Sequence, residues 1–231
     1  MSHVDNTVII VLANSNSYHG TCYMFQPSFG GNYSSGVSVA YTTTHPNIEV
    51  FNESLIHEAG GHGFAKLGDE YAYELMGAFP TDNIRDYKTA SLFGWWKNVD
   101  FTSDPAAVKW SQFLSDPRYA NEGLGCYEGG LTYWTGVWRP TENSIMNTNT
   151  GGFNAPSRYA IWYRIGKLAY GESWEGSYED FVAYDAVNRT PAAAARRKAQ
   201  AHRSMVEKPL PQLPPPVVVG HSWREELQKG K

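Results

Sequence analysis

Short apolar runs separated by polar turns occupy the first fifty residues, a pattern typical of β-strands. Thr7 to Ala13 (TVIIVLA) is an unbroken, β-branched run that predicts a buried strand. Two further strands are expected at Cys22 to Gln26 and Val37 to Thr43, with a Gly- and Ser-rich turn between them. The pattern then becomes helical, and Asn52 is the expected N-cap of a helix that carries His57.

The middle of the chain, residues 72–143, is rich in Trp, Tyr and Gly and only weakly periodic. We expect mostly loops there, with short helices, one of them around Ala106 to Leu114. Apolar residues return at helical spacing in Ser157 to Ala169, where Pro156 suits the first turn of a helix. A second helix is predicted at Tyr178 to Val187.

The composition changes again towards the C-terminus. Ala192 to Met205 is rich in Ala and Arg and is predicted to be helical, whereas Pro209 to Pro216 (PLPQLPPP) is typical of extended, polyproline-like chain. The three valines at 217–219 are predicted to add a strand to a sheet edge. We therefore expect one domain over residues 1–190, followed by an appended helix and tail over residues 191–231.

Composition and charge exclude several functional classes. The chain has 231 residues, a formal net charge of -4 and an isoelectric point near 6.0, so it suits one large domain without an electrostatic footprint for nucleic acid. Its longest apolar run is far shorter than the ~20 residues needed to span a bilayer, and no signal peptide is visible. Cys22 and Cys126 could form a disulfide, but two cysteines alone leave this open.

The segment HEAGGHGFAKLGDEY, which begins at His57, carries the candidate chemistry. Zincins bind zinc through two imidazoles on a helix about one turn apart, and a Glu beside the first His takes a proton from the activated water. This pattern predicts His57 and His62 as zinc ligands and Glu58 as the general base. The alternative, a helical His and a second His that caps the helix, accounts less well for so dense a cluster of ligand-type side chains.

The spacing of the two histidines departs from the zincin standard. Four residues between ligands turn an α-helix by about 400°, whereas the five between His57 and His62 turn it by about 500° and point the rings to different faces. A local π-type turn, with i to i+5 hydrogen bonds, would restore a common face. Gly60 and Gly61 lie where such a distortion must be absorbed, so we predict a widened helix there.

A catalytic zinc site needs a third protein ligand. Asp69 is the first strong oxygen donor after His62, and Gly68 lets the chain turn back beneath the helix. Glu70 is the competitor, because a one-residue change in the turn exchanges the two side chains. We predict Asp69, with Glu70 left as the alternative.

A second feature is the sequence ENSIM at residues 142–146, which precedes a Gly- and Asn-rich turn and the helix at Ser157. Metzincins follow this order: the zinc helix, a variable loop, a tight turn whose Met lies under the metal, and a final helix. Met146 is therefore predicted to form a Met-turn, shaping the site without binding the ion. Ordinary core packing is the alternative for an isolated Met.

These motifs together with YEGGLTYWTGVWRPTENSIM and NAPSRYAIW resemble the IgA-peptidase family of bacterial metallopeptidases, especially its gut-Bacteroides branch. The resemblance extends from about Val8 to about Val187. It implies an α+β, metzincin-like zincin catalytic domain: a mixed sheet, the zinc helix, a Met-turn and C-terminal helices. It further implies one catalytic zinc, endopeptidase activity on proteins or peptides, and a secreted, cell-surface or periplasmic location.

The sequence departs from the family pattern in four respects. Three residues rather than the more usual two separate the HE pair from the second His, and a metzincin's usual third-ligand position is Gly68 here. Several metzincins have a Tyr two residues after the Met, where this chain has Thr148. Tyr71, Tyr133 and Arg139 are other candidate oxyanion donors, although a structural packing or pairing role is favoured for each. Family members are also longer at the N-terminus, and the chain is therefore expected to be truncated.

Two other functions are compatible with these residues. One is a non-catalytic binding or adhesion module on the same fold, although such a module has no use for Glu58. The other is a zinc hydrolase that acts on cell-wall amides rather than peptides. The sequence does not name a substrate.

Overall fold

The protein is a mixed α+β structure in the computed structural model, which describes residues 6–26, 32–189 and 212–219. Its strands are β1 (Val8–Ala13), β2 (Gly20–Phe25), β3 (Ser38–Thr43), β4 (Ala72–Ala78), β5 (Tyr127–Gly130), β6 (Thr132–Arg139) and β7 (Val217–Val219). Its α-helices are α1 (Ile48–Leu55), α2 (Ile84–Leu92), α3 (Ser111–Ser115), α4 (Ile145–Thr148), α5 (Ala155–Tyr170) and α6 (Tyr178–Asn188). A π-helix (Ile56–Phe64) follows α1, and short 3-10 helices lie at Thr81–Asn83 and Pro117–Glu122.

The first sheet has four strands in the order β1-β3-β2-β7. β1 runs parallel to β3, whereas β2 runs antiparallel to β3. The predicted edge strand of three valines is confirmed, because β7 pairs in parallel with β2. One face of this sheet packs on the π-helix and buries Cys22, Met24 and Ala40.

The strand expected at Thr7 to Ala13 is present as β1, but the expectation that it is buried is wrong. β1 is an edge strand, paired on one side with β3, and the side chains of Ile9, Ile10 and Leu12 are 46%, 49% and 51% exposed. A continuous β-branched run therefore indicates a strand here, but its burial depends on what covers the sheet.

A second sheet, of order β4-β6-β5, lies in the region where we expected loops. Its strands are interrupted by shifts of register, one between Tyr73 and Ala78 and another between Glu128 and Gly130. Such irregularities break the alternation of polar and apolar residues by which strands are recognised. Aromatic residues of this region, including Trp95 and Trp96, form the core beside the sheet.

Helix boundaries were predicted unevenly. The expected helices near residues 157–169 and 178–187 are confirmed as α5 and α6, whereas the short helix of this middle region begins only at Ser111. The N-cap assigned to Asn52 is wrong: α1 begins five residues earlier, after Asn47, whose side chain accepts hydrogen bonds from the amides of Glu49 and Val50. Asn47 follows Pro46 and also suits a cap, so local preference did not separate the two asparagines.

The two cysteines do not form a disulfide, and both are free thiols. Cys22 belongs to the core of the first sheet, whereas Cys126 packs at the edge of a separate cluster around Trp110 and Phe181. The predicted helix Ala192–Met205 lies outside the described residues. No helix in the described part of the chain is long and apolar enough to cross a membrane.

Candidate metal centre

The segment that carries the two histidines is widened as the spacing requires. α1 continues directly into the π-helix, and the amide of Ala65 donates to the carbonyl of Gly60, five residues back, over 3.0 Å. This pattern places residues five apart on nearly one face. The prediction of a π-type turn at Gly60 and Gly61 is confirmed.

The imidazoles of His57 and His62 converge on one point. Their Nε2 atoms lie 3.0 Å apart, and the ring planes meet at 78°. Both rings are buried, with exposures of 1% and 0%. The five-residue spacing therefore produces the convergence that a regular zincin helix achieves with four.

Two backbone carbonyls fix the tautomers of these rings. Nδ1 of His57 donates to the carbonyl of Ile145, and Nδ1 of His62 donates to the carbonyl of Leu67, each over 2.8 Å. Because a carbonyl can only accept, each Nδ1 carries the hydrogen in the neutral ring. The Nε2 lone pairs are then both directed into the space between the rings, the orientation that metal-binding histidines adopt.

Asp69 completes the group. Its Oδ1 lies 3.2 Å from Nε2 of His57 and 3.2 Å from Nε2 of His62. Burial raises the pKa of Asp69, but the charge and the hydrogen bonds that His62 and His57 would supply if these rings were protonated lower it by more, so the net shift is downward. Three acceptor atoms facing one another repel unless a cation lies among them, and ligands of a tetrahedral zinc ion at ~2.1 Å are about 3.4 Å apart. The three residues fit one metal ion.

Glu70, the competing ligand, faces away from this group. Its carboxylate accepts hydrogen bonds from the side-chain amides of Asn98 and Asn154 and from the hydroxyl of Ser144, at 2.7 to 3.0 Å. It is fully buried. Glu70 therefore joins the loop after the π-helix to the segments before α4 and α5, a role that the sequence did not reveal.

Glu58 lies one residue after the first histidine and is completely buried. Neither carboxylate oxygen has a hydrogen-bond partner among the described residues. Burial raises the pKa of Glu58 to about 8, with His57 acting in the opposite direction and Asp69 adding to the rise. An unpaired carboxyl beside the three converging ligands is suited to accept and return a proton near neutral pH.

Met146 lies under the π-helix. It is fully buried, and its backbone carbonyl accepts a 2.8 Å hydrogen bond from the amide of Glu70. The thioether of Met146 fills the space next to Gly61 that a side chain at residue 61 would otherwise occupy. Met146 packs together with Leu67 and Ile145 in a small apolar cluster.

Of the three side chains weighed as oxyanion donors, Tyr71 borders the site. Its hydroxyl donates a 2.5 Å hydrogen bond to the carbonyl of Leu213, and burial, followed by the charge of Asp69, raises the pKa of the phenol. Arg139 instead donates to backbone carbonyls within its own hairpin, and Tyr133 packs against Phe79.

A narrow cleft opens beside His57. The lining residues are Tyr18, His57, Tyr71, Asn147, Thr148, Asn149, Gln212 and Leu213. No sequence motif marks Tyr18, Asn147 or Leu213, which come from three separate parts of the chain. Only the fold brings them together.

The fold and the geometry of the site are those of an α+β protein in which two histidines and a carboxylate can hold one metal ion. The family model described as IgA Peptidase M64 matches residues 2–119, about half of the chain, a range that includes Glu58 and all three ligand residues. The chain therefore belongs to the IgA-peptidase family of metallopeptidases, as its motifs indicated. No curated protein matches it.

Proposed function

We propose that the protein is a zinc endopeptidase in which His57, His62 and Asp69 bind the metal and Glu58 is the general base. The observation that carries the proposal is the convergence of three buried acceptor atoms, 3.0 to 3.2 Å apart, next to the Glu58 carboxyl group, which has no hydrogen-bond partner in the part of the chain that the structure describes. Two imidazoles and a carboxylate are ligands that zinc accepts, and three protein ligands leave a fourth position for water.

In this reaction each residue has a separate task. His57, His62 and Asp69 would hold a zinc ion, which would lower the pKa of a water molecule and polarise the peptide carbonyl. Glu58 takes the proton from the attacking water and returns it to the leaving amine, a role supported by its complete burial and by the lack of a hydrogen-bond partner for its carboxylate among the described residues. The Tyr71 hydroxyl, which keeps its proton, donates a hydrogen bond to the carbonyl oxygen as charge develops there.

The substrate is proposed to be an extracellular protein or peptide. The family supports a peptidase, and the proposal of export rests on the same membership. We further propose that residues 1–190 form the catalytic domain, with residues 191–231 appended to it.

The test is a turnover assay of the full chain against a peptide library, with and without chelator. Glu58→Gln should reduce hydrolysis by a factor of about 10³ or more while zinc content stays near one per chain, because the amide has the same size but cannot take the proton. Glu74→Gln, at an exposed strand position, is the matched control and should leave turnover unchanged. Activity that survives both the chelator and Glu58→Gln would disprove the proposal.

A further inference from the structure

The last described segment of the chain, residues 212–219, enters the cleft beside His57. It begins at Gln212, whose side-chain amide donates to the carbonyl of Asn147 over 3.3 Å. It ends as β7, in which Val217 pairs with Tyr23 and Val219 with Phe25. The amide of Gln26 also donates to the carbonyl of Val219 over 2.8 Å.

Leu213 anchors this segment. Its side chain is only 2% exposed, whereas that of Leu92 is 77% exposed. Gly20 has no side chain, and two other side chains approach the position that its Cβ atom would take. Glu58 Oε1 would lie 2.8 Å from this position and Leu213 Cδ1 2.9 Å from it, so the leucine side chain lies next to the proposed base. Its carbonyl accepts the 2.5 Å hydrogen bond from Tyr71.

The segment thus makes the contacts that an extended peptide ligand would make. It adds a strand to the free edge of β2, places an aliphatic side chain beside Glu58, and presents a peptide carbonyl to Tyr71. Pro214, Pro215 and Pro216 connect these contacts, and prolines favour the extended conformation that a cleft of this kind accepts.

We propose that this cleft is the peptide-binding site and that residues 212–219 occupy it as a competing ligand within the same chain. The ligand class is an extended peptide with a large aliphatic residue beside Glu58, followed by proline or β-branched residues along β2. Regulation of the enzyme by the tail rests on the proposed function, because a peptide substrate must displace residues 212–219 before it reaches the metal.

Attachment to the same chain strengthens this competition. A tethered ligand acts at an effective concentration that can reach millimolar values, and it loses less entropy on binding than a free peptide. Burial of one leucine side chain favours the closed state by roughly ten- to hundredfold. Removing that side chain should therefore open the cleft.

The experiment uses the zinc-loaded full chain and a fluorescein-labelled peptide QLPPPVVV, followed by fluorescence anisotropy. Leu213→Ser should bind the peptide at least tenfold more tightly than the unaltered chain, because its own tail competes less. Leu92→Ser is the matched control and should bind like the unaltered chain. A peptide with Ser in place of Leu should bind Leu213→Ser at least tenfold more weakly than QLPPPVVV does.

Equal binding to Leu213→Ser and the unaltered chain would overturn the proposal, as would absence of binding to Leu213→Ser. Leu213→Gly gives a second route to the same comparison if the serine variant is poorly folded. Anisotropy requires no hydrolysis, so a chain that binds the peptide but lacks chelator-sensitive turnover would refute the proposed function and still support the cleft. If both hold, Leu213→Ser should also raise kcat/KM several-fold on added peptides.

Discussion

The backbone of Gly61 lies directly against the thioether of Met146, and a Cβ atom at Gly61 would stand 2.8 Å from Met146 Cε. The neighbouring Gly60 is different: its nearest neighbour would be 3.7 Å away, at the ring of Phe153. These two adjacent glycines of the π-helix therefore have separate reasons to be small. Gly61 admits the methionine, and Gly60 eases the local widening of the helix.

Gly61→Ala should lower the free energy of unfolding by about 1–3 kcal/mol, because the added methyl group overpacks the contact with Met146. Gly60→Ala, in ordinary van der Waals space, is the matched control and should change stability by less than ~1 kcal/mol. Chemical denaturation of the zinc-loaded chains measures both. Equal losses from the two substitutions would show that helix widening, rather than packing on Met146, determines the effect.

Asp69 and Glu70 should respond in opposite ways to substitution. Asp69→Ala removes a ligand and should weaken zinc binding by a factor of about 100 or more. Glu70→Ala removes the acceptor for Asn98, Ser144 and Asn154, so we expect mainly a loss of stability, of about 3 kcal/mol. Zinc titration and urea unfolding on both variants separate the roles.

A reversed ranking in the titration would transfer the ligand assignment to Glu70. Some loss of affinity in Glu70→Ala is consistent with a supporting role, since residues behind a metal ligand contribute about 10- to 100-fold. Asp69→Asn should weaken zinc binding less than Asp69→Ala does, because the asparagine side chain keeps one oxygen at nearly the same position.

Tyr71→Phe should lower kcat by roughly 100-fold and change KM little, if its hydroxyl stabilises charge on the carbonyl oxygen. The matched control is Tyr184→Phe, since the Tyr184 side chain is 49% exposed on α6. Steady-state kinetics on one peptide substrate decide the matter. An increase in KM with kcat unchanged would mean that Tyr71 contributes to substrate binding and does not stabilise charge on the carbonyl oxygen.

Because Lys66 is buried, we expect the stability of the protein to depend on pH in a specific way. Its ammonium group is fully buried and donates to the carbonyls of Gly36 and Gly63 and to the hydroxyl of Ser38, which holds the end of the π-helix against β3. Burial, assisted by the charge of Arg164, lowers the pKa of Lys66 to about 7.

Between pH 7 and about 10.5 the unfolded chain then binds more protons at Lys66 than the folded chain does, so the stability from this residue rises with pH. The difference in unfolding free energy between the unaltered chain and Lys66→Met should increase by up to ~1.4 kcal/mol per pH unit above pH 7 and be flat below it. Urea unfolding at pH 6, 7.5 and 9 measures this difference. A constant difference over that range would mean that Lys66 stays charged in the fold.

The candidate site could be predicted well from the sequence because most of it is local. The π-type turn follows from the five-residue spacing of His57 and His62, whereas Gly68 favours Asp69 as the third residue of the group without excluding Glu70. The contacts that surround these residues could not be predicted. Asn98 and Ser144 reach Glu70 from 28 and 74 residues away, and no local pattern marks a long-range acceptor.

The fold was predictable where a strand or helix keeps its regular period. β3, α5 and α6 do so, and their positions agree with the sequence pattern. β4 and β5 contain shifts of register, and their alternation is lost at those points. Burial was harder to predict than secondary structure, because the exposure of Ile9 and Leu12 depends on the position of β1 at the sheet edge.

The three ligand residues lie within one short stretch of chain, from His57 to Asp69, whereas the carbonyl of Ile145 that orients His57 comes from 88 residues away. The entropic cost of closing a loop grows with the logarithm of its length. Bringing His57, His62 and Asp69 together therefore costs the unfolded chain little free energy. We therefore expect metal capture and enclosure of the metal to be separate events in folding. A synthetic peptide of residues 56–71 should bind zinc weakly on its own, and the full chain should gain the rest of its affinity only when the distant segment arrives.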